Sequence, residues 1–440
     1  MRFTQTKEPW IGEIPAEWGL TAIKRLVSTK ITDGPHETPE LADDGVQFIS
    51  AEAVKNNQID FNLRRGFISR ELHEQYSRKC KPQRGDIFVI KSGATTGNVA
   101  YVDVDFEFSI WSPLALIRCD ERIALYKFVY YVLLTDVFRK QVELSWSFGT
   151  QQNIGMGVIE RLKVPIPPIG EQKQITAFLD ASCAAIDAAV AAKRRQLETL
   201  NALRKSTIKR AVTLGLKPSV KTQCTDVEWI PEMPQQWRLV RVKDVMEFFN
   251  TVRVPLSAAE RGVMTEKTYD YYGASGVIDK VESYLFDGTY ILIAEDGANL
   301  LTRAKPLAFL ATGKFWVNNH AHILKPRWGG DDTFFVNLLE SQDFSLFVTG
   351  AAQPKLTMEN LGRFKLAVPK VAEQKEIAAF IRQKDDEFHT LFAQIEQQIA
   401  TLTTYRKSLI HECVTGQWRV TEGDVALVRR GESEAMRSCG

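Results

Sequence analysis

Much of this chain is written twice, and that repetition limits its fold more than any single motif. WIGEIPAEW (10–18) returns as WIPEMPQQW (229–237), EQKQITAFL (171–179) as EQKEIAAFI (373–381), and RKSTI (204–208) as RKSLI (406–410). Self-similarity on this scale means two copies of one domain and a pseudo-twofold molecule. Trp18 and Trp237 differ by 219 positions, Glu171 and Glu373 by 202, so the second copy lacks 17 residues between these landmarks. Beyond Glu171 the offset holds at 202 as far as Val212 and Val414. A scaffold of constant length around a variable middle is what a framework for replaceable recognition modules requires.

The 440 residues are enough for two to three domains with their own cores. With 44% hydrophobic and 25% charged residues, the composition is that of an ordinary globular protein. No uninterrupted run of about 18 apolar residues occurs, and MRFTQTKEPW lacks the hydrophobic region of a signal peptide. The six cysteines (80, 119, 183, 224, 413, 439) form no CxxC pair and read as reduced thiols, so a cytoplasmic location is expected. Net charge is only +2: residues 1–220 carry 30 basic against 25 acidic side chains, the remainder 26 against 29. A stand-alone DNA binder is usually more basic, so partner subunits are expected to share any phosphate neutralisation.

PIPPIG (165–170) forbids an earlier helical start, and Glu171 then falls in a first turn, where a carboxylate complements the helix dipole. Lys205, Lys209 and Arg210 gather late, and Gly215 supplies the stop. Pro369, Glu373, Arg406, Lys407, His411 and Gly416 repeat the scheme. Phe388, Phe392, Ile395, Ile399 and Leu402 form a heptad-like seam, matched by Ile186, Val190, Leu197 and Leu200. Each helix could pack on its own domain, but two copies of one seam favour antiparallel pairing into a rod between two heads. About 42 residues per helix would make it about 63 Å long.

The middles read as α+β. IFVI (87–90) and ILIA (291–294) are buried strands, each followed by a polar glycine loop with Gly93 opposite Gly297. Strand chemistry is shared and loop chemistry is not. Lys91, Ser92, Thr95 and Thr96 stand opposite Glu295, Asp296 and Asn299; Trp111 and Ser112 opposite Asn318, Asn319 and His320; Gln151, Gln152 and Asn153 opposite Gln353, Pro354 and Lys355. Such side chains read base edges and phosphates, although Asn and His are also common in turns. Helices are expected over 126–144 and 333–348. His36 in DGPHET reads as a turn or packing residue.

Catalytic signatures are missing. Glu-Gln-Lys occurs twice at helix starts, but no Pro-Asp accompanies it; no NPPY- or DPPY-like element, GxxxxGK[ST] loop, HExxH or GxSxG is present. The expectation is a binding subunit with no catalytic and no metal-ligating residues.

The tandem Trp-Pro-Trp openings, tandem PxP…EQ steps and tandem long helices resemble the specificity (S) subunit of type I restriction–modification systems, from about Trp10 to Trp418. DGPHETP (33–39), FISAE (48–52), KSGATTG (91–97) and WSPLALIR (111–118) resemble one type of first target-recognition domain. EDGANL (295–300) and GKFWVNNHAHILKP (313–326) resemble one type of second. The resemblance implies an α+β fold with two pseudo-twofold-related target-recognition domains separated by two long antiparallel helices. Its expected divisions are 1–168 (first recognition domain), 169–214 (first helix), 215–228 (linker), 229–370 (second recognition domain), 371–416 (second helix) and 417–440 (tail). The tail is either disordered or closes a pseudo-ring on the N-terminal segment. Each domain would read half of a bipartite asymmetric site in double-stranded DNA, with the helices setting the spacer. The DNA-contact candidates are Lys91, Ser92, Thr95, Thr96, Trp111, Gln151, Gln152, Asn153, Asn299, Asn318, Asn319, His320, Gln353 and Lys355. The implied partners are two modification (M) subunits carrying S-adenosylmethionine and restriction (R) subunits using ATP and Mg, with no cofactor on this chain and no membrane.

Overall fold

The computed structural model describes residues 2–145, 153–350, 353–428 and 430. The chain is α+β and forms two compact units, Met1–Lys193 with Gln397–Gly440, and Arg194–Glu396. Both unit boundaries fall inside long helices, Ile169–Leu214 and Val371–Thr415. Each helix therefore starts in one unit and ends in the other.

Proline and glycine delimit these helices as their backbone chemistry requires. The first follows Pro167 and Pro168, and Gly215 closes it at φ +80°, its N–H donating to the Ala211 carbonyl at 3.0 Å; Gly416 closes the second at φ +76°. Asp187 pairs with Arg406 at 3.0 Å in the first unit, and Arg204 with Asp385 at 2.8 Å in the second. Numbers climb along one helix as they fall along the other, so the pair is antiparallel. Ile186 and Phe388 are buried, while Val190, Leu197, Leu200, Phe392, Ile395, Ile399 and Leu402 are half-buried between exposed neighbours. The first helix contains an 18-residue stretch of mean hydropathy 1.6. Alanines supply much of its apolar character, and Ile175, Phe178, Leu179 and Ile186 bury into the first unit's core.

The Glu-Gln doublets join helix to recognition module. Trp18 Nε1 donates to Glu171 at 3.1 Å, and Trp237 Nε1 to Glu373 at 3.1 Å. Gln172 accepts from the Leu125 N–H and donates to the carbonyls of Ile123 and Pro167; Gln374 accepts from the Asp331 N–H and donates to the Pro369 carbonyl. Both amides are buried, and these bonds satisfy them there.

In the first unit, four antiparallel strands run in the order Val99–Tyr101, Ile87–Ile90, Leu114–Ile117, Thr32–Asp33. A second sheet pairs Phe108–Ile110 parallel to Val46–Ile49, which pairs with Gly66–Ile68. In the second unit both patterns merge into six strands: Met246–Phe248, Ala321–Pro326, Phe286–Ala294, Ala308–Val317, Tyr269–Gly273, Gly276–Val281. The four-residue Ile87–Ile90 strand and the last four residues of its counterpart are wholly buried, as continuous apolar runs demand.

Two helical expectations change. The stretch expected as one helix over 126–144 is two, Tyr126–Leu133 and Asp136–Leu144, because Thr135 turns extended and its hydroxyl bonds the Val132 carbonyl. The helix expected over 333–348 is Asp332–Glu340 followed by a short 3-10 turn, Ser345–Phe347. Asp343 accepts from the Ser345 N–H, and Phe344 plugs the core. The start of the tail is ordered on the first unit: Val420 is buried, and Trp418 stacks on Phe178 at 6.3 Å.

Candidate nucleic-acid interface

In each unit three loops converge at the end of the central buried strand. In the first, Lys91 directly follows that strand. Its N–H donates to the Pro113 carbonyl at 2.7 Å, and its carbonyl accepts from Ile154 at 2.8 Å. In the second, Glu295 holds the same position, donating to the His320 carbonyl at 2.9 Å and accepting from Leu356 at 2.8 Å. Isolated bridges Ser92–Asn153 and Asp296–Lys355 repeat the match. Gly93 and Gly297, at φ +99° and +103°, allow the turn that follows. The three polar segments aligned from sequence are thus brought together in each unit.

Side chains at these positions divide into two groups. Lys91 is buried and ion-paired with Asp33. Thr96 is buried, donating to the Gly93 carbonyl at 2.7 Å; Asn318 is buried, accepting from the His320 N–H at 2.8 Å. Asn299 spans both backbone groups of Lys305, and Trp111 donates to the Glu37 carbonyl while Arg65 lies 4.2 Å over its ring. These shape the loops. Thr95, Asn153, Asn319, Gln353 and Lys355 are exposed, whereas Ser92 and His320 are half-buried, His320 being held by Asp296 at 2.8 Å. Gln151 and Gln152 lie outside the described residues.

Beneath the loops sits a buried carboxylate outside the polar segments aligned from sequence. Asp33 receives Lys79 at 2.6 Å together with Lys91. Burial pushes its carboxyl up, but the bonds from Lys79 and Lys91 outweigh this and hold it below the usual range. Glu295 receives Arg253 at 2.6 Å and Lys355 at 3.3 Å; burial again raises its carboxyl, and Arg253 and Lys355 bring it down. His322 is fully buried, with Nε2 donating to the Leu356 carbonyl at 2.7 Å and Nδ1 accepting from Asn250 at 2.8 Å. Burial lowers its pKa, which keeps it neutral. One sequence signal was available: aligning the strand-end loops sets Lys91 opposite Glu295, a reversal of charge at matched positions.

The model of the type I restriction modification DNA specificity domain matches residues 22–199 and again 234–401. The chain belongs to this family. A Methanocaldococcus jannaschii protein assigned as the specificity subunit of the type I restriction enzyme MjaX is 22% identical to this family member over 94% of the chain and 96% of its own length. The MjaVIII specificity subunit of the same organism is 25% identical over 63% and 69%. A Haemophilus influenzae relative assigned as a type I specificity subunit is 30% identical, but the match spans only 36% of this chain and 37% of that protein. Among solved structures, a chain from a study of type I system assembly and conformational transition aligns over 92% of this chain and 99% of its own, with TM-score 0.69 and 14% identity. The HsdS subunit of Thermoanaerobacter tengcongensis gives 0.50 at 15% identity, over 92% and 98%. At such identities the likeness is one of fold.

Proposed function

We propose that this specificity-family chain is the non-catalytic DNA-reading subunit of a type I restriction–modification complex. Each unit reads one half of a bipartite asymmetric site, and the long helices set the spacer between halves. The observation that carries this reading is one frame presenting two unlike sets of loop side chains: Ser92, Thr95 and Asn153 in one unit, Asn319, Gln353 and Lys355 in the other. A protein that only bridged partners would have no use for two unlike sets of polar side chains on matched strand ends. Side chains of these types suit base edges and phosphates. In this reading residues 1–168 and 229–370 are the recognition domains, joined through helices 169–214 and 371–416, with 215–228 a linker and 417–440 a tail.

Two modification subunits supply S-adenosylmethionine and adenine methylation, for which the target base must leave the stack. Restriction subunits supply ATP- and Mg-dependent cleavage, and the complex works in the cytoplasm. This chain contributes recognition and geometry. The test is to co-express it with its modification subunit and map methylated adenines by single-molecule sequencing. A split motif with a constant gap is expected. A stable complex that methylates nothing would overturn the reading.

A further inference from the structure

The two carboxylate clusters differ in a way that goes beyond exchange of surface residues. In the first unit the loop residue is the cation, Lys91, and the anion, Asp33, comes from the edge strand of the same sheet. In the second the loop residue is the anion, Glu295, and the cation, Arg253, comes from the segment after Met246–Phe248. These strands occupy matching edges of their sheets. Each pair thus ties the residue after the central strand to a side chain on or just beyond the edge strand, with the signs exchanged.

Their surroundings agree closely. The four side chains are 8%, 11%, 14% and 12% exposed for Asp33, Lys91, Arg253 and Glu295. Each carboxylate also takes a second, half-exposed lysine, Lys79 or Lys355. Both clusters therefore contain one carboxylate, two cationic side chains and one histidine, His36 at 3.3 Å from Asp33 and His322 at 3.5 Å from Glu295. The inversion changes which loop carries which sign without changing that balance.

A buried ion pair adds little net stability, because desolvation offsets its attraction; its best-attested use is to select one register against others. Here the selected register is that of the loops. The backbone N–H and C=O of residue 91 or 295 tie the other two loops to it. Arg253 additionally donates to the Ala321 carbonyl at 2.7 Å. Displacing either charge would shift all three loops, and bidentate base contacts tolerate little shift.

We propose that Asp33–Lys91 and Arg253–Glu295 are positioning pairs that set the base selectivity of their own units, and that their opposed signs prevent exchange of these loops one residue at a time. The proposal rests on the DNA-reading function above. Neither pair is required to touch DNA; each acts through the loops it holds.

The test uses the co-expressed complex and its methylation profile. E295Q should relax discrimination about tenfold at one or more positions of a single half-site, the size of an ordinary single-base mismatch penalty. D33N should do the same at the other half-site, with the gap unchanged in both. K91E alone should relax its half-site, and the double inversion D33R/K91E, which copies the second unit's polarity, should restore discrimination. A purely structural role would weaken the complex without half-site selectivity or rescue. If the wild type gives a split motif and well-folded variants leave both half-sites intact, or degrade both alike, the proposal is overturned while the DNA-reading function stands. Loss of folding in every variant would also overturn it, by making the pairs structural. A wild type without a split motif overturns the underlying reading, and the proposal with it.

Discussion

The two helix-closing glycines offer a controlled comparison, since one motif sits in two environments. Gly215 and Gly416 have nearly the same left-handed backbone, φ +80° and +76°. Alanine at either position incurs the left-handed penalty of about 1–2 kcal/mol. Their neighbours differ. A Cβ at 215 would meet Glu373 Oε1 at 3.2 Å and the Trp237 ring at 3.6 Å, contacts that a small side-chain adjustment relieves. A Cβ at 416 would lie 2.4 Å from both Cδ and Cγ of Pro15, with the Trp18 ring 3.3 Å away. A proline ring cannot rotate aside, so G416A adds an overpacking cost of about 1–3 kcal/mol. We expect G215A to cost about 1–2 kcal/mol and G416A about 2–5 kcal/mol. Units of 150–250 residues lose about 2–4 °C in Tm per kcal/mol, so scanning calorimetry of the two variants separates them. Equal melting shifts would refute the argument that the Pro15 contact decides the difference.

Other outcomes follow from the same contacts. Phe388→Ala should cost about 3–4 kcal/mol by denaturant unfolding, because Phe388 is a buried aromatic of the seam, whereas Leu391→Ala on the exposed side should cost under about 1 kcal/mol. Trp18→Phe, which removes the indole donor to Glu171, should cost about 1–2 kcal/mol in the same assay. His322 has its pKa lowered by burial from an ordinary 6.5, so the unfolded chain takes up this proton first and the second unit loses stability as pH falls below 6.5. Pulse proteolysis across pH 5–8 should show that slope, and His322→Gln should flatten it. Asp33, lowered from 3.8 by its two lysines despite burial, contributes stability that is full above that value and is lost as pH falls through its native pKa. Acid unfolding of D33N should lack that contribution.

The scaffold was legible because its determinants are local or repeated. Pro168 and Gly215 bound a helix by backbone chemistry, the apolar spacing of Phe388 to Leu402 specifies one protected side, and duplication makes each sign count twice. The loop chemistry was only partly legible. Lys91 and Asn318 look in sequence like residues that reach outward, yet both are buried and bonded inside the protein. For Lys91 the partner explains why: Asp33 lies 58 positions away, just as Arg253 lies 42 from Glu295. No window of periodicity spans such distances. The helix break at Thr135 was hidden too, because a hydroxyl that bonds an earlier carbonyl leaves the apolar pattern on either side intact.

The grip of Gln172 and Gln374 on their modules also bears on how such a chain can change over time. Every partner of these amides is a main-chain N–H or C=O, at Leu125, Ile123 and Pro167 in one case and Asp331 and Pro369 in the other. The socket reads the course of the backbone and is indifferent to the side chains it presents. An incoming segment acquired by recombination would need only to trace that turn to be seated, whatever surface it brought. New sequence preferences could then arise in a single genetic exchange, without compensating changes in the receiving helix.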